Sequence, residues 1–236
     1  MNTPHLLLWL EGPLQSWGVN AKFNRRTTLD FPSRSGVIGL LCAALGAGGE
    51  QKELLACFAP LAQTVVAYTR MDKQDKPAPA LQLCDFHMVG SGYDDKDSWQ
   101  TLSIPKTREQ KAAVGGGTKL TYRYYLQDAA FAVALDVPPV WRKDLEEALV
   151  SPYWDISLGR KCCVATEFVF QGMHPSMPVA LKCAEKLARK KQRTELFRVL
   201  DGVHEDEGEQ IILPDVPLQF GPDKLYRERM VTVMMK

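Results

Sequence analysis

His5 to Glu11, HLLLWLE, is an apolar run of strand length, and the Gly12-Pro13 pair after it punctuates rather than continues an element, so a buried strand is predicted. Pro32-Ser33-Arg34-Ser35 offers helix-start chemistry, and Val37, Leu40, Leu41, Ala44 and Leu45 then fall at i, i+3, i+4, i+7 and i+8. That spacing predicts a first helix ending near Gly46, Gly48 and Gly49. A short helix follows over Lys52 to Phe58, and Val65, Val66, Tyr68 and Thr69 make Thr64 to Met71 a strand. Leu81 to Val89 alternates as another. From Gly90 to Thr118 the chain is polar, carries Gly115-Gly116-Gly117 and holds no period, which predicts a projecting loop or hairpin tip with Lys119 to Leu126 as its returning arm. Phe131 to Val137 reads as a strand stopped by Pro138-Pro139. Trp141, Leu145, Ala148 and Leu149 give one helical face ending before Pro152, and Cys163 to Phe170 reads as a further strand.

The resulting order, strand-helix-strand-strand-helix-strand, is the split β-α-β pattern of an α+β, ferredoxin-like (RRM-like) fold, with the excursion at 90–126 set between central elements. Beyond Gly172 the composition changes. Pro175 and Pro178 precede a strongly basic helix candidate over 179–200, then Asp201 to Glu209 with five acids, then strands at Gln210 to Leu213 and Tyr226 to Met234. Residues 1–172 are therefore read as the main domain including the projecting excursion at 90–126, and 173–236 as a small C-terminal region, either separate or returning to the first sheet.

At 236 residues the chain is long enough to bury a core, and 45% hydrophobic with 24% charged residues excludes disorder and collagen-like structure. Twenty-nine basic and 28 acidic side chains leave +1, which argues against holding nucleic acid by bulk charge. The balance conceals two basic segments: Lys22, Arg25, Arg26 and Arg34 against Asp30, and Lys106, Arg108, Lys111, Lys119 and Arg123 against Glu109. The six cysteines form no C-x-x-C pair, which disfavours a disulfide framework or zinc ribbon and favours reduced thiols. No apolar stretch reaches the roughly 18 residues of a membrane span, so a cytoplasmic location without membrane contact is expected.

Enzyme signals are sparse. Gly115-Gly116-Gly117-Thr118-Lys119 lacks the spacing of a phosphate-binding loop. His5, His87, His174 and His204 are scattered, so neither metal nor cofactor is expected, and there is no G-x-S-x-G elbow. Metal-independent RNA cleavage stays open, because it needs an acid-base pair and a phosphate-binding cation, roles within reach of His87, Tyr122, Tyr124, Lys119 or Arg123. Binding has more material. Trp17, Phe23, Arg25 and Arg26 share one loop, and Lys119, Tyr122, Arg123, Tyr124 and Tyr125 share the returning arm, which is the mixture of cations and rings that grips unpaired nucleotides. Solvated charge beside core aromatics accounts for the same composition. No RNP1 run is present. Arg189, Lys190, Lys191 and Arg193 read as a solvated face, or as a patch for nucleic acid or an acidic partner.

Leu7-Leu8-Trp9-Leu10-Glu11-Gly12-Pro13-Leu14-Gln15-Ser16-Trp17-Gly18 and Phe31-Pro32-Ser33-Arg34-Ser35-Gly36-Val37-Ile38-Gly39-Leu40-Leu41 resemble the N-terminal signature of the CasD subunit family of type I-E CRISPR Cascade. Asp85-Phe86-His87, Tyr125 to Phe131 and Leu158-Gly159-Arg160-Lys161-Cys162 follow in the same order. The resemblance implies a RAMP-superfamily protein with a ferredoxin-like core, a thumb hairpin and a small C-terminal part. It implies a non-catalytic subunit that caps the 5′ handle of mature CRISPR RNA beside the backbone subunits and the large subunit, meeting target DNA only indirectly through the guide. Relatives in another subtype cleave precursor RNA with adjacent Lys and His, a dipeptide absent here. The predicted RNA-binding residues are Trp17, Gly18, Arg25, Arg26, Ser33, Arg34 and Ser35 before and at the first helix, Arg108, Lys119 and Arg123 in the thumb and its base, and Arg160 with Lys161. Ser33, Ser35 and the free amides of the helix start are suited to a phosphate or, equally, to plain capping.

Overall fold

The computed structural model describes residues 4–18, 24–71, 76–78, 81–89, 119–204 and 208–236, with residues 96, 98 and 109. Strand β1 (His5–Glu11), helix α1 (Arg34–Leu45), helix α2 (Lys52–Phe58), strand β4 (Gln63–Thr69), strand β7 (Ala130–Asp136) and helix α3 (Arg142–Val150) stand where the apolar pattern put them, to within one or two residues. Short strands β2 (Leu14–Gln15) and β3 (Arg25–Arg26) precede α1, and β5 (Gln82–Val89) and β6 (Lys119–Gln127) form an antiparallel hairpin between β4 and β7. The tip, 90–118, with the glycine triplet and Arg108, lies outside the described residues apart from 96, 98 and 109.

The chain ends differently from the sequence reading. The strand predicted over Cys163 to Phe170 is replaced by β8 (Phe170–His174). Val164 makes only an isolated bridge to Ser157, and Thr166 and Val169 bond β1 irregularly, through Thr166 N–H to Glu11 O and Trp9 N–H to Val169 O. Local β propensity was outweighed because Phe168, 90% exposed, has no sheet surface to cover. The basic helix predicted over 179–200 stops at Lys190: α4 is Met177–Lys190, Gln192 turns back at positive φ, and Thr194–Asp201 is strand β9. A basic run carries no information about where a helix yields to a strand. Here β9 is held by neighbours on both edges, β4 and β11. Strands β10 (Glu209–Gln219) and β11 (Leu225–Met235) complete the chain as an antiparallel hairpin longer than predicted.

Seven strands lie in the order β10-β11-β9-β4-β7-β1-β8, every neighbouring pair antiparallel. Residues 194–235 therefore extend the sheet built by the first part of the chain. Both faces are covered, which explains why β1 is apolar without alternation. Leu6, Leu8 and Leu10 join Val37, Ile38 and Leu41 of α1 and Leu145 of α3 on one side. On the other, Leu7 and Trp9 lie with Ala130, Ala132 and Ala134 of β7 against Ala180, Ala184 and Ala188 of α4. Small residues at every second strand position meet small residues at every fourth helix position, so α4 lies close on the sheet. Helix α1 ends where Gly46 adopts φ 68° and the Ala47 N–H reaches back to Cys42 O.

A second, small sheet is organised around β6. One edge pairs with β5 along its length; the other pairs antiparallel with β2 at Leu126 and Gln127 and parallel with β3 at Tyr122 and Arg123. The loop before α1 and the returning arm of the excursion are thus hydrogen-bonded to each other.

Candidate nucleic-acid interface

Register decides which side chains share a face of the small sheet, because opposed residues point the same way. Arg26 pairs with Arg123, which pairs with Asp85, while Arg25 pairs with Tyr122, which pairs with Phe86. On the first face the Arg160 guanidinium lies 4.6 Å above the centre of the buried Tyr125 ring and donates through Nη2 to Arg26 O at 3.0 Å. Its Nη1 is buried without a hydrogen-bond acceptor. Arg123 Nε donates to Thr121 Oγ1 at 3.3 Å, and His87 Nε2 contacts the Asp85 carboxylate. Register and the Arg160 bond to Arg26 O thus bring three arginines from three separate stretches of sequence to one small patch of the sheet.

Arg160 is delivered by a tight turn. Gly159 has φ 91°, and a Cβ there would lie 1.9 Å from Ser16 O, so the turn can press against the backbone just after β2 only with glycine. The turn closes through the Cys163 N–H to Arg160 O, 2.8 Å. Cys163 is fully buried beside it, and burial together with the neighbouring Cys162 pushes its thiol up to about 12. Lys161 is exposed on the turn, over a groove shared with Ala43, Trp154 and Ile156.

Other predicted residues are drawn inward. Trp17, 1% exposed, packs against Gly36, where a Cβ would stand 2.8 Å from the ring, and its Nε1 donates to Gln15 Oε1. It is core, not a stacking face. Gly18 is exposed beside it. Ser33 is buried and caps α1 through Oγ to the Gly36 N–H at 3.3 Å, with Ser35 Oγ 3.4 Å away. Arg34, 3% exposed, is enclosed. Its Nη1 donates to Asp201 Oδ2 at 2.9 Å, its Nη2 donates to Phe58 O and Leu61 O, and its own N–H donates to Asp215 Oδ2 at 2.7 Å. Arg229 closes the set on Asp215 and Asp201. Burial lowers the pKa of Arg34, opposed by Asp201, whereas hydrogen bonds and charge from Asp215 and Asp201 outweigh burial and raise that of Arg229. Arg34 thus leaves the RNA-contact set. The start of α1 already holds an anion, the Asp215 carboxylate, so the phosphate seat expected there is filled from within the chain. Arg108 and the Lys119 side chain lie outside the described residues.

The basic run near α4 also turns inward in part. Arg193, 4% exposed, donates to Glu11 and Asp128, and Lys191 contacts Glu11 and Glu167. Tyr125 was named with the other rings of its arm but not among the predicted RNA-binding residues, and it is the ring that carries Arg160. Phe86 was visible as an apolar position of an alternating strand and within Asp85-Phe86-His87, neither of which marks it as a contact, and nothing local distinguishes Asp215 from a surface acid.

Residues 5–236 match the family described as CRISPR-associated protein (Cas_Cas5). The chain belongs to the Cas5 family. The match runs on through the C-terminal strands, beyond the last motif that carried the resemblance. The chain is 32% identical over 171 residues to the CRISPR system Cascade subunit CasD of Escherichia coli (strain K12), covering 71% of this chain and 70% of that one. Among solved structures it is similar to a chain of a CRISPR RNA-guided surveillance complex, with TM-score 0.70 and 29% identity over 98% of this Cas5-family chain and 90% of the other. A second likeness, to a crystal structure of a Cas protein with TM-score 0.54 and 22% identity over 98% and 94%, bears on fold alone. Mixed α+β architecture dominated by antiparallel sheet is common ground with these structures. Among the described residues, no helix is long and apolar enough to cross a membrane.

Proposed function

We propose that this Cas5-family chain is a non-catalytic subunit of a type I-E Cascade surveillance complex that caps the 5′ handle of the mature CRISPR RNA, beside backbone and large subunits, and meets target DNA through the guide. The observation that carries this reading is the gathering of Arg26, Arg123 and Arg160 around one face of the small sheet, in a chain similar over most of its length to a Cascade subunit. Guanidinium groups suit phosphate because they offer paired donors in a rigid plane. We read β1-α1-β4-β7-α3-β8 as a ferredoxin-like RAMP core, since its strands lie in the order β4-β7-β1-β8, and β5-β6 as the base of a thumb. Residues 173–236 are then a C-terminal region that widens that core.

Binding of single-stranded RNA should weaken with salt at a log-log slope near −0.7 per neutralised phosphate, hence about −2 to −3 for Arg25, Arg26, Arg123 and Arg160 together. Arg123→Gln and Arg160→Gln should each reduce the slope by about 0.7, whereas Arg34→Gln should lower stability and leave it unchanged. A slope near zero in wild type sinks the reading.

Metal-independent cleavage of precursor RNA has one observation in its favour, the contact of His87 with Asp85 across from Arg123. Incubation with precursor RNA in chelator decides the matter: product that disappears in His87→Ala supports cleavage, and an intact transcript supports capping.

A further inference from the structure

The opposite face of the small sheet has no part in the arginine cluster. Gln82, Cys84, Phe86 and Met88 of β5 oppose Leu126, Tyr124, Tyr122 and Leu120 of β6, so these eight residues share that face, with Leu126 buried in the main core, Tyr124 half-buried and the part towards Leu120 open. Phe86 is 47% and Tyr122 40% exposed, and Met88, Leu120 and Cys84 are exposed with them. The two rings lie 5.2 Å apart, tilted by 50°. Surface aromatics in contact with each other, left open by the described residues, mark a place where something docks.

Charge selects the occupant. The exposed Arg25 is in register with Tyr122, so one row across three strands reads Arg25, Tyr122, Phe86. At about 4.8 Å between strands, the guanidinium stands within reach of the phosphate of a base lying on the neighbouring ring. Within β5 and β6 the one carboxylate, Asp85, belongs to the other face, and Asp30 is engaged by the Gln82 amide at 3.0 Å. Rings flanked by a cation fit a polyanion that carries flat apolar faces; an apolar protein surface has no use for the arginine.

We propose that Phe86 and Tyr122, with Arg25 beside them, form a stacking platform for unpaired RNA bases. This rests on the reading of the chain as an RNA-binding subunit and adds where bases, as distinct from phosphates, are held. The platform works by ring contact, so it tolerates any base and takes its salt dependence from Arg25 alone.

The test uses the full chain and a single-stranded RNA oligonucleotide with 2-aminopurine at one position at a time. Phe86→Leu and Tyr122→Leu keep apolar bulk and remove the ring. Each should weaken binding about 5- to 100-fold, abolish 2-aminopurine quenching at one position and leave the salt slope unaltered; Phe86→Trp should restore both signals. Arg123→Gln and Arg160→Gln, read in parallel, test the underlying reading through the slope. If those two flatten the slope while the leucine variants bind and quench as wild type does, the platform is wrong and the reading stands. If neither set changes anything, both fall. If the leucine variants keep RNA affinity but separate from neighbouring subunits in size-exclusion chromatography, the face docks protein and the proposal is overturned.

Discussion

Glu11 illustrates what a single side chain does when the fold turns it inward. Burial pushes its carboxyl pKa up, but hydrogen bonds from Trp9 Nε1 at 2.7 Å and from Arg193, the charge of Arg193, and Lys191 outweigh that, and the net shift is below the ordinary value of 4.5. A depressed carboxylate in the folded state stabilises it above the unfolded-state pKa, and that contribution disappears as pH falls through the folded value. The urea midpoint of the wild type should therefore drop on acidification below about pH 4.5, and Glu11→Gln should start lower at neutral pH and fall less steeply. Parallel pH profiles for the two proteins would rule this out. Arg193 was legible as one member of a basic cluster, but its burial was not, because the cluster straddles the end of a helix and side-chain direction there follows from where β9 docks. Trp17 and Arg34 are alike in this. Both stand in or beside a loop without periodicity, where nothing local separates a side chain that stacks on a ligand from one that fills the core.

Elements with a clear period or firm punctuation were readable. The spacing of Val37 to Leu45 and the glycines after it define α1, and the apolar run to Gly12-Pro13 defines β1. Elements whose limits depend on partners were not. Val164 to Phe170 has strand propensity but meets β1 only at irregular bonds, and Thr194 to Asp201 carries the charge of a solvated helix yet is held as a strand between two others. The turn at Gly159 carries a prediction at this scale. Gly159→Ala combines positive φ with a clash on the Ser16 carbonyl, so it should cost more than about 1 kcal/mol of stability and shift Arg160 off Tyr125. Thermal unfolding and the salt slope of RNA binding should change together in this variant; an unaltered slope would show that the turn does not hold Arg160 in place.

For the molecule as a whole, the Arg34, Asp201, Asp215 and Arg229 set ties the first helix to β9, β10 and β11 across most of the chain length. Removing one member leaves buried charge uncompensated, so Asp215→Ala should destabilise by about 3–5 kcal/mol. Because the C-terminal strands continue the sheet, urea unfolding followed by far-ultraviolet circular dichroism and by tryptophan fluorescence should show one transition shifted as a unit. Loss of one signal alone would mean that the C-terminal strands unfold independently. The amino-acid sequence by itself determined the local elements with a strong period, the mixed α+β class and, through motifs in a fixed order, the Cas5-family membership, since each depends on neighbours along the chain. Only the tertiary structure decided which cations face outward and which are held inside, that β3 pairs with β6 to bring Arg25 beside Tyr122 and Arg26 beside Arg123, and that the first amide of α1 is met by an acid 181 positions later. Those outcomes depend on strand register and on contacts between distant segments, and a one-residue shift in register would move every side chain of a strand to the opposite face.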